Sequence, residues 1–225
     1  MSSKRTSQTV EDYLQLIYTM HREGDPVIAA RLKERIGVSA PTAWATLRRM
    51  NRDGLVALER GRQVELTDAG REQAESIIRR HMLAERLLTD ILALEWADSH
   101  EEAHLMEHAI SPLVEQALLK VLNRPTTCPH GNPIPGMQSG PLPETKPLRQ
   151  AEEGERLVIN NISEHAEEDY ELMRYLQRSG LVPGATLKIE EVALSNATIT
   201  VSLDGGRTVA VGLAAAAVIQ VRPAA

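Results

Sequence analysis

Apolar positions in residues 9–22 (TVEDYLQLIYTMHR) recur at helical spacing, with Tyr13, Leu14, Ile17, Tyr18 and Met20 along one face. Thr9 is placed to cap this helix, with Asp12 at the capping-box position. A second helix is expected over 28–36, stopped by Gly37. Ser39 or Ala40 then opens a third, with Pro41 suited to its first turn and Gly54 at its end. Next, LVALERGRQVELT alternates like two short strands joined around Arg60-Gly61-Arg62. Helix, helix, turn, helix, hairpin is the order of a winged helix-turn-helix.

From Asp68 to Leu122 the pattern is helical again. AGREQAESIIRRHMLAERLLTDIL and HEEAHLMEHAISPLVEQALLKVL are separated by a break at Trp96–Ser99. Their Leu-rich faces suit either packing on the first domain or a helical dimer interface. Seven of the twelve prolines then fall between Pro125 and Pro147, with three glycines among them. Proline removes backbone donors and glycine resists ordering, so this stretch is expected to be an extended tether. Beyond it, GERLVINNIS, ATLKIEEVA, NATITVSLD, RTVAVGL and AAVIQVRP alternate like strands, interrupted by one helix, EEDYELMRYLQRSG. That segment resembles an SH3-like barrel. The fold class is therefore mainly α with a C-terminal β domain. The expected parts are a winged helix-turn-helix DNA-binding domain (1–72), a helical dimerisation and metal-binding domain (73–124), a Pro/Gly-rich linker (125–149) and an SH3-like domain (150–225).

Composition narrows the class. Hydrophobic residues make up 42% of the 225 and charged residues 25%, enough apolar material for a core. No apolar run approaches the length of a bilayer span, and the first residues have no apolar stretch of a secretory signal, so a cytoplasmic protein without membrane attachment is expected. The one cysteine, Cys128, excludes an intramolecular disulfide and a multi-thiolate zinc site. Net charge is −6, but residues 1–72 carry +2 and residues 73–225 carry −8. This asymmetry suits a nucleic-acid-binding head on an acidic body.

A recognition helix presents its N-terminal residues to base edges in the major groove. Here those are Ser39, Pro41, Thr42, Trp44 and Ala45. Arg48, Arg49 and Arg52 further along, and Arg60 and Arg62 at the wing tip, are expected to reach phosphates. Few of these residues can make bidentate base contacts, so shape and half-site spacing should carry much of the specificity. A winged helix used for protein contacts is the alternative.

Candidate metal chemistry lies in His100-Glu101-Glu102-Ala103-His104-Leu105-Met106-Glu107-His108. On a helix His100, His104, Glu107 and His108 share an arc of about 120°, and His81 and Glu85 upstream sit one turn apart. Imidazole with carboxylate suits divalent manganese, iron, cobalt, nickel or zinc. A merely solvated helix face is the competing explanation.

HMLAERLLTDILAL, HEEAHLMEH and CPHGNPIPG, following a helix-turn-helix, resemble the diphtheria-toxin-repressor family of metal-dependent transcriptional repressors nearly end to end. The resemblance implies a homodimer, one or two per site, that binds a palindromic double-stranded DNA operator of metal-homeostasis genes when loaded with Mn(II) or Fe(II). Carried over by position, it implies a primary site of Asp12, His104, Glu107 and His108. It implies an ancillary site of His81, Glu85 and His100, completed from the third domain by Glu168, Asp169 or Glu171. Iron-responsive members typically have Met at Asp12 and Cys at His104. Manganese-responsive members have Asp and Glu there, and a further Glu where Gln15 stands. Two separate sites are therefore expected rather than a paired-ion cluster, with Gln15, a backbone carbonyl or water completing the first. The Asp/His donor set ranks Mn(II) first and Fe(II) second, and other divalent transition metals should also bind in vitro. Rival readings are a metalloenzyme built on the His/Glu cluster and a winged-helix redox sensor using Cys128.

Overall fold

The computed structural model describes residues 7–58 and 63–224. The chain divides into two compact units, one reaching to His81 and taking in Glu107–Ile110, the other made of Met82–Met106 and Ser111 onward. The stretch 73–124 is thus shared between two bodies in the single chain.

In the first unit, α1 (Gln8–Arg22), α2 (Ala29–Ile36) and α3 (Ala40–Arg52) precede an antiparallel pair, β1 (Val56–Leu58) and β2 (Val64–Leu66). The apolar stripe of α1 turns inward as expected: Tyr13, Leu14, Ile17 and Met20 are fully buried, against Leu32 of α2 and Leu47 and Met50 of α3. Each such side chain contributes about 1.5–3 kcal/mol of burial. The cap differs from expectation. Helix α1 starts on Ser7, whose carbonyl accepts from the Val10 and Glu11 N–H groups, so Thr9 is already helical. Asp12 therefore stands a full turn inside, with no orphan N–H to cap. Helix α3 starts as expected, its Thr42 N–H donating to Ser39 Oγ at 3.3 Å.

Helix α4 (Asp68–Arg86) runs on into a single π turn, Leu87–Ile91, and Trp96–Asp98 makes a 3₁₀ turn. The expected second long helix is broken in two, α5 (Ser99–Glu107) and α6 (Pro112–Val121). The cause is local: Pro112 has no N–H to continue a ladder, and Ser111 caps α6 by accepting from Val114 N–H. Apolar side chains are left in solvent on these helices and the turn before them: Ile91, Leu92, Leu105, Leu113 (81% exposed) and Val121.

The second unit is completed by β3 (Lys146–Pro147), β4 (Arg156–Ile162), α7 (Tyr170–Ser179), β5 (Thr186–Ala193), β6 (Thr198–Leu203), β7 (Thr208–Gly212), α8 (Leu213–Val218) and β8 (Ile219–Pro223). The strands form one antiparallel six-stranded sheet in the order β3-β8-β4-β5-β6-β7. Inward residues such as Leu157, Ile159, Ile162, Leu187, Ile189, Ile199, Val201, Val211 and Val221 make its core, closed by Met173 and Leu176 of α7.

Part of the expected tether is packed structure. Cys128 N–H donates to Asn132 O, Ile134 N–H to Thr126 O, and Ile162 N–H, at the end of β4, to His130 O. The approach needs Gly131, whose φ is +85° and where a Cβ would overlap the Asn160 carbonyl oxygen. Asn160 lies at the bulge where the β4–β8 register shifts. Proline and glycine here fix a loop onto the sheet.

Candidate metal centres and nucleic-acid interface

Helix α1 and the end of α5 meet within the first unit. His108 is gripped at both ring nitrogens: Nδ1 lies 2.7 Å from Glu11 Oε2, while Nε2 lies 3.3 Å from Asp12 Oδ1 and 3.2 Å from Glu107 Oε1. Glu107 is fully buried, and its other oxygen lies 2.6 Å from His81 Nδ1. Asp12, Glu107 and His108 each offer a donor atom within 4.8 Å of the others. For metal–ligand bonds of about 2.0–2.2 Å, neighbouring donors stand about 3 Å apart. The observed separations match, and an oxygen-and-nitrogen donor set with two carboxylates fits a divalent cation. One turn on from Asp12, Gln15 Oε1 is buried with no hydrogen-bond partner among the described residues. His104 is exposed on α5, one turn before His108.

A second cluster is enclosed in the second unit. Glu85 of α4 is fully buried, and its Oε1 lies 3.2 Å from His100 Nδ1 and 3.3 Å from His130 Nδ1. Glu167 Oε2 lies 3.1 Å from His100 Nδ1 and 3.3 Å from His130 Nδ1. His130 is wholly buried, its Nδ1 off the line of a hydrogen bond to either carboxylate. Its ring packs edge-on against Trp96, whose carbonyl lies 3.2 Å from Nε2. Cys128 shares this cluster, within 4.8 Å of the donor atoms of Glu85 and His130. Burial presses the His130 imidazole toward neutrality, but Glu167 and Glu85 outweigh it and hold its pKa well above the ordinary value. Burial, with the same two carboxylates, pushes the Cys128 thiol up to about 12. The cluster thus attracts positive charge, and Cys128 is a protonated, enclosed thiol rather than the reactive thiolate that a redox sensor uses.

His81 and Glu85 share one face of α4 as expected, and His100 meets Glu85. The expected completion from the third domain differs by register. Glu168, Asp169 and Glu171 are exposed, and Asp169 is spent capping α7, its Oδ1 accepting from Leu172 N–H at 3.0 Å. The buried carboxylate is Glu167, in the turn before α7, held by Asn132 Nδ2–H at 2.6 Å. Glu167, His130 and Cys128 were missed as a set because loops bring them together. The only signal in the sequence was the HGNPIP motif, whose His and Asn both point to this cluster.

On α3, Ser39, Pro41, Thr42, Ala45, Arg48, Arg49 and Arg52 form an exposed face. Trp44 differs: it is half-buried against the core. Arg60 and Arg62 lie outside the described residues.

Three family models match the chain: iron dependent repressor, N-terminal DNA binding domain, over residues 5–64; iron dependent repressor, metal binding and dimerisation domain, over 67–136; and FeoA domain, over 146–223. Iron-dependent repressor IdeR of Mycobacterium leprae is 40% identical over 86% of this chain and 88% of its own. Diphtheria toxin repressor of Corynebacterium diphtheriae is 46% identical over 57% of each. Among solved structures, a manganese-dependent transcriptional repressor in complex with manganese superposes with a TM-score of 0.86 at 34% identity, covering 96% of this chain and all of the other.

Proposed function

The chain belongs to the iron-dependent repressor family of metal-dependent transcriptional repressors, and from that premise we propose that it represses metal-homeostasis genes as a homodimer on a palindromic operator, under control of two metal centres. The observation that carries this reading is the convergence of Asp12, Glu107 and His108 at 3.2–3.3 Å separations in the DNA-binding unit. Those three residues, with His104 by resemblance, hold the regulatory ion. Glu85, His100, Glu167, His130 and Cys128, with His81 by resemblance, hold the second. A divalent ion supplies the positive charge that offsets the carboxylates gathered at each centre.

The chain's own residues explain why loading changes DNA binding. Asp12 lies on α1, which packs directly on α2 and α3 through Leu14, Ile17 and Leu47. Fixing Asp12 to Glu107 and His108 therefore fixes the recognition helix relative to the end of α5. Unneutralised, Glu11, Asp12 and Glu107 repel one another there. A coupling of about 1–3 kcal/mol shifts operator affinity by about 5–150-fold. The exposed apolar side chains Leu113, Val121 and Leu105 supply a hydrophobic surface of the kind that dimers cover.

Manganese is the first choice of ion and ferrous iron the second. Asp12 and Glu107 are hard carboxylate donors and the set with His108 holds no sulfur, which favours Mn(II), and a structural relative at 34% identity is a manganese-dependent repressor. The curated relatives named for iron keep the second choice open. The test strips the protein with chelator and measures its binding to promoter fragments of metal-uptake genes with Mn(II), with anaerobic Fe(II) and with neither. Metal-dependent binding is expected, at lower Mn(II) than Fe(II). Equal binding in all three would overturn the reading.

A further inference from the structure

The first centre contains a buried acid that is not one of the three converging ligands. Glu11 is 8% exposed and precedes Asp12 on α1, so the two carboxylates project about 100° apart around the helix. They reach opposite nitrogens of one ring: Glu11 Oε2 stands 2.7 Å from His108 Nδ1, and Asp12 Oδ1 stands 3.3 Å from Nε2. The other oxygen of Glu11 is held by Arg80 of α4, Nη2 to Oε1 at 3.5 Å. Arg80 is itself fixed, its Nη1 donating to Ile110 O at 3.3 Å and its Nε to Ser76 O at 3.3 Å.

We propose that Glu11 is a positioning residue of the regulatory centre: it accepts the His108 Nδ1 proton, fixing the tautomer and ring plane that turn the Nε2 lone pair toward Asp12 and Glu107. This rests on reading Asp12, Glu107 and His108 as metal ligands. Three facts support it. The 2.7 Å contact is shorter than those of His108 with Asp12 and Glu107, and it is at the nitrogen pointing away from both. Histidine ligands commonly donate their second N–H to a carboxylate, which raises their basicity and orients them. Arg80 keeps Glu11 on the far side of the ring, so Glu11 serves His108 rather than competing with it. Arg80 also anchors to Ile110, two residues beyond His108, so ring and acid are set by one cation.

The experiment uses the full-length chain loaded with Zn(II) as a diamagnetic probe. Imidazole tautomers are read by long-range ¹H–¹⁵N correlation, and Mn(II) affinity by chelator competition. In the unaltered protein His108 is expected to carry its proton on Nδ1. Glu11→Ala is expected to lower Mn(II) affinity about 10–100-fold, the usual loss for an outer partner of a ligand histidine, with the protected Nδ1 proton gone. Glu11→Gln keeps an acceptor oxygen and the side-chain volume. It should retain the tautomer, recover most of the affinity and move the Nδ1 proton upfield, because its acceptor is neutral. Unchanged affinity and tautomer in Glu11→Ala would overturn the proposal. So would an unmoved Nδ1 proton in Glu11→Gln, which decides the matter even if Glu11→Ala does not fold. Undiminished metal binding in Asp12→Ala would instead overturn the ligand assignment, and this inference with it.

Discussion

The two candidate metal centres are built from similar side chains in opposite ways. The first is gathered by helices: Glu11 and Asp12 are neighbours on α1, Glu107 and His108 are neighbours at the end of α5, and Asp12 and His108 are partly exposed. The second is gathered by loops around α4 and α5. Glu85, His130 and Glu167 are each 5% exposed or less, and Cys128 adds a sulfur. A centre that is half open and made of hard donors can exchange its ion with solvent, which a sensor of ion concentration requires. An enclosed centre, hydrogen-bonded into the sheet through Asn132, is suited to hold its ion and to brace the second unit. Under the proposed function, the contrast gives switching to the first centre and support to the second.

The largest effect should come from Asp12→Ala. It removes the α1 carboxylate facing His108 Nε2, and with it the contact between α1 and His108. Metal-dependent operator affinity should fall about a hundredfold, the upper part of the usual coupling range, with the dimer intact by light scattering. A full metal response in that variant would erase the distinction between the centres.

Glu167→Gln should act less on DNA. It leaves the first centre whole and removes one carboxylate from a buried group of two acids and two histidines. Bound metal should drop by one ion per chain, operator affinity should fall about tenfold, and the stabilisation given by added metal in thermal melts should shrink. Glu168→Gln and Glu171→Gln, both exposed, should leave all three readouts unchanged. A loss at Glu171 equal to that at Glu167 would move the centre to the face of α7.

That one-residue difference marks what the sequence could tell. Helices α1 and α3 and the strands of the second unit were legible because periodicity and caps are local: Ser39 caps α3, and Leu187, Ile189, Ile199 and Val201 alternate inward. The pairs His81–Glu85 and His104–His108 were legible because helical spacing alone puts them on one face. Glu167 was not, since the 3₁₀ turn Glu164–Ala166 before it decides which acid turns inward, and Asn132, 35 residues away, holds it there. His130 and Cys128 were hidden for a related reason. A stretch dense in proline and glycine reads as tether, whereas here Gly131 permits the loop to dock on the β4 bulge.

Gly131→Ala tests whether the second centre depends on that docking. The added Cβ would meet the Asn160 carbonyl, and an alanine at φ +85° is strained in any case. A destabilisation of about 1–3 kcal/mol is expected in denaturant melts. The second ion should be lost while Asp12-dependent binding at the first centre persists. Loss of both together would mean that the centres are not separable.

The smallest effect on manganese, and the sharpest on selectivity, should come from Cys128→Ser. Serine keeps the size of the buried side chain but replaces a soft donor with a hard, weak one. A thiol whose pKa is pushed up to about 12 must lose its proton to bind an ion, and only ions with a strong preference for sulfur drive that loss readily. Mn(II) affinity should therefore change by less than about threefold, while Cd(II) affinity should fall by well over about tenfold. Titration of the two ions in parallel reads the difference directly. Equal losses for both would make Cys128 an ordinary packing residue and leave Glu85, His100, His130 and Glu167 as the whole of the second centre. A preserved Cd(II) preference would move that preference to the first centre, and the division of the two sites into hard and soft would fail.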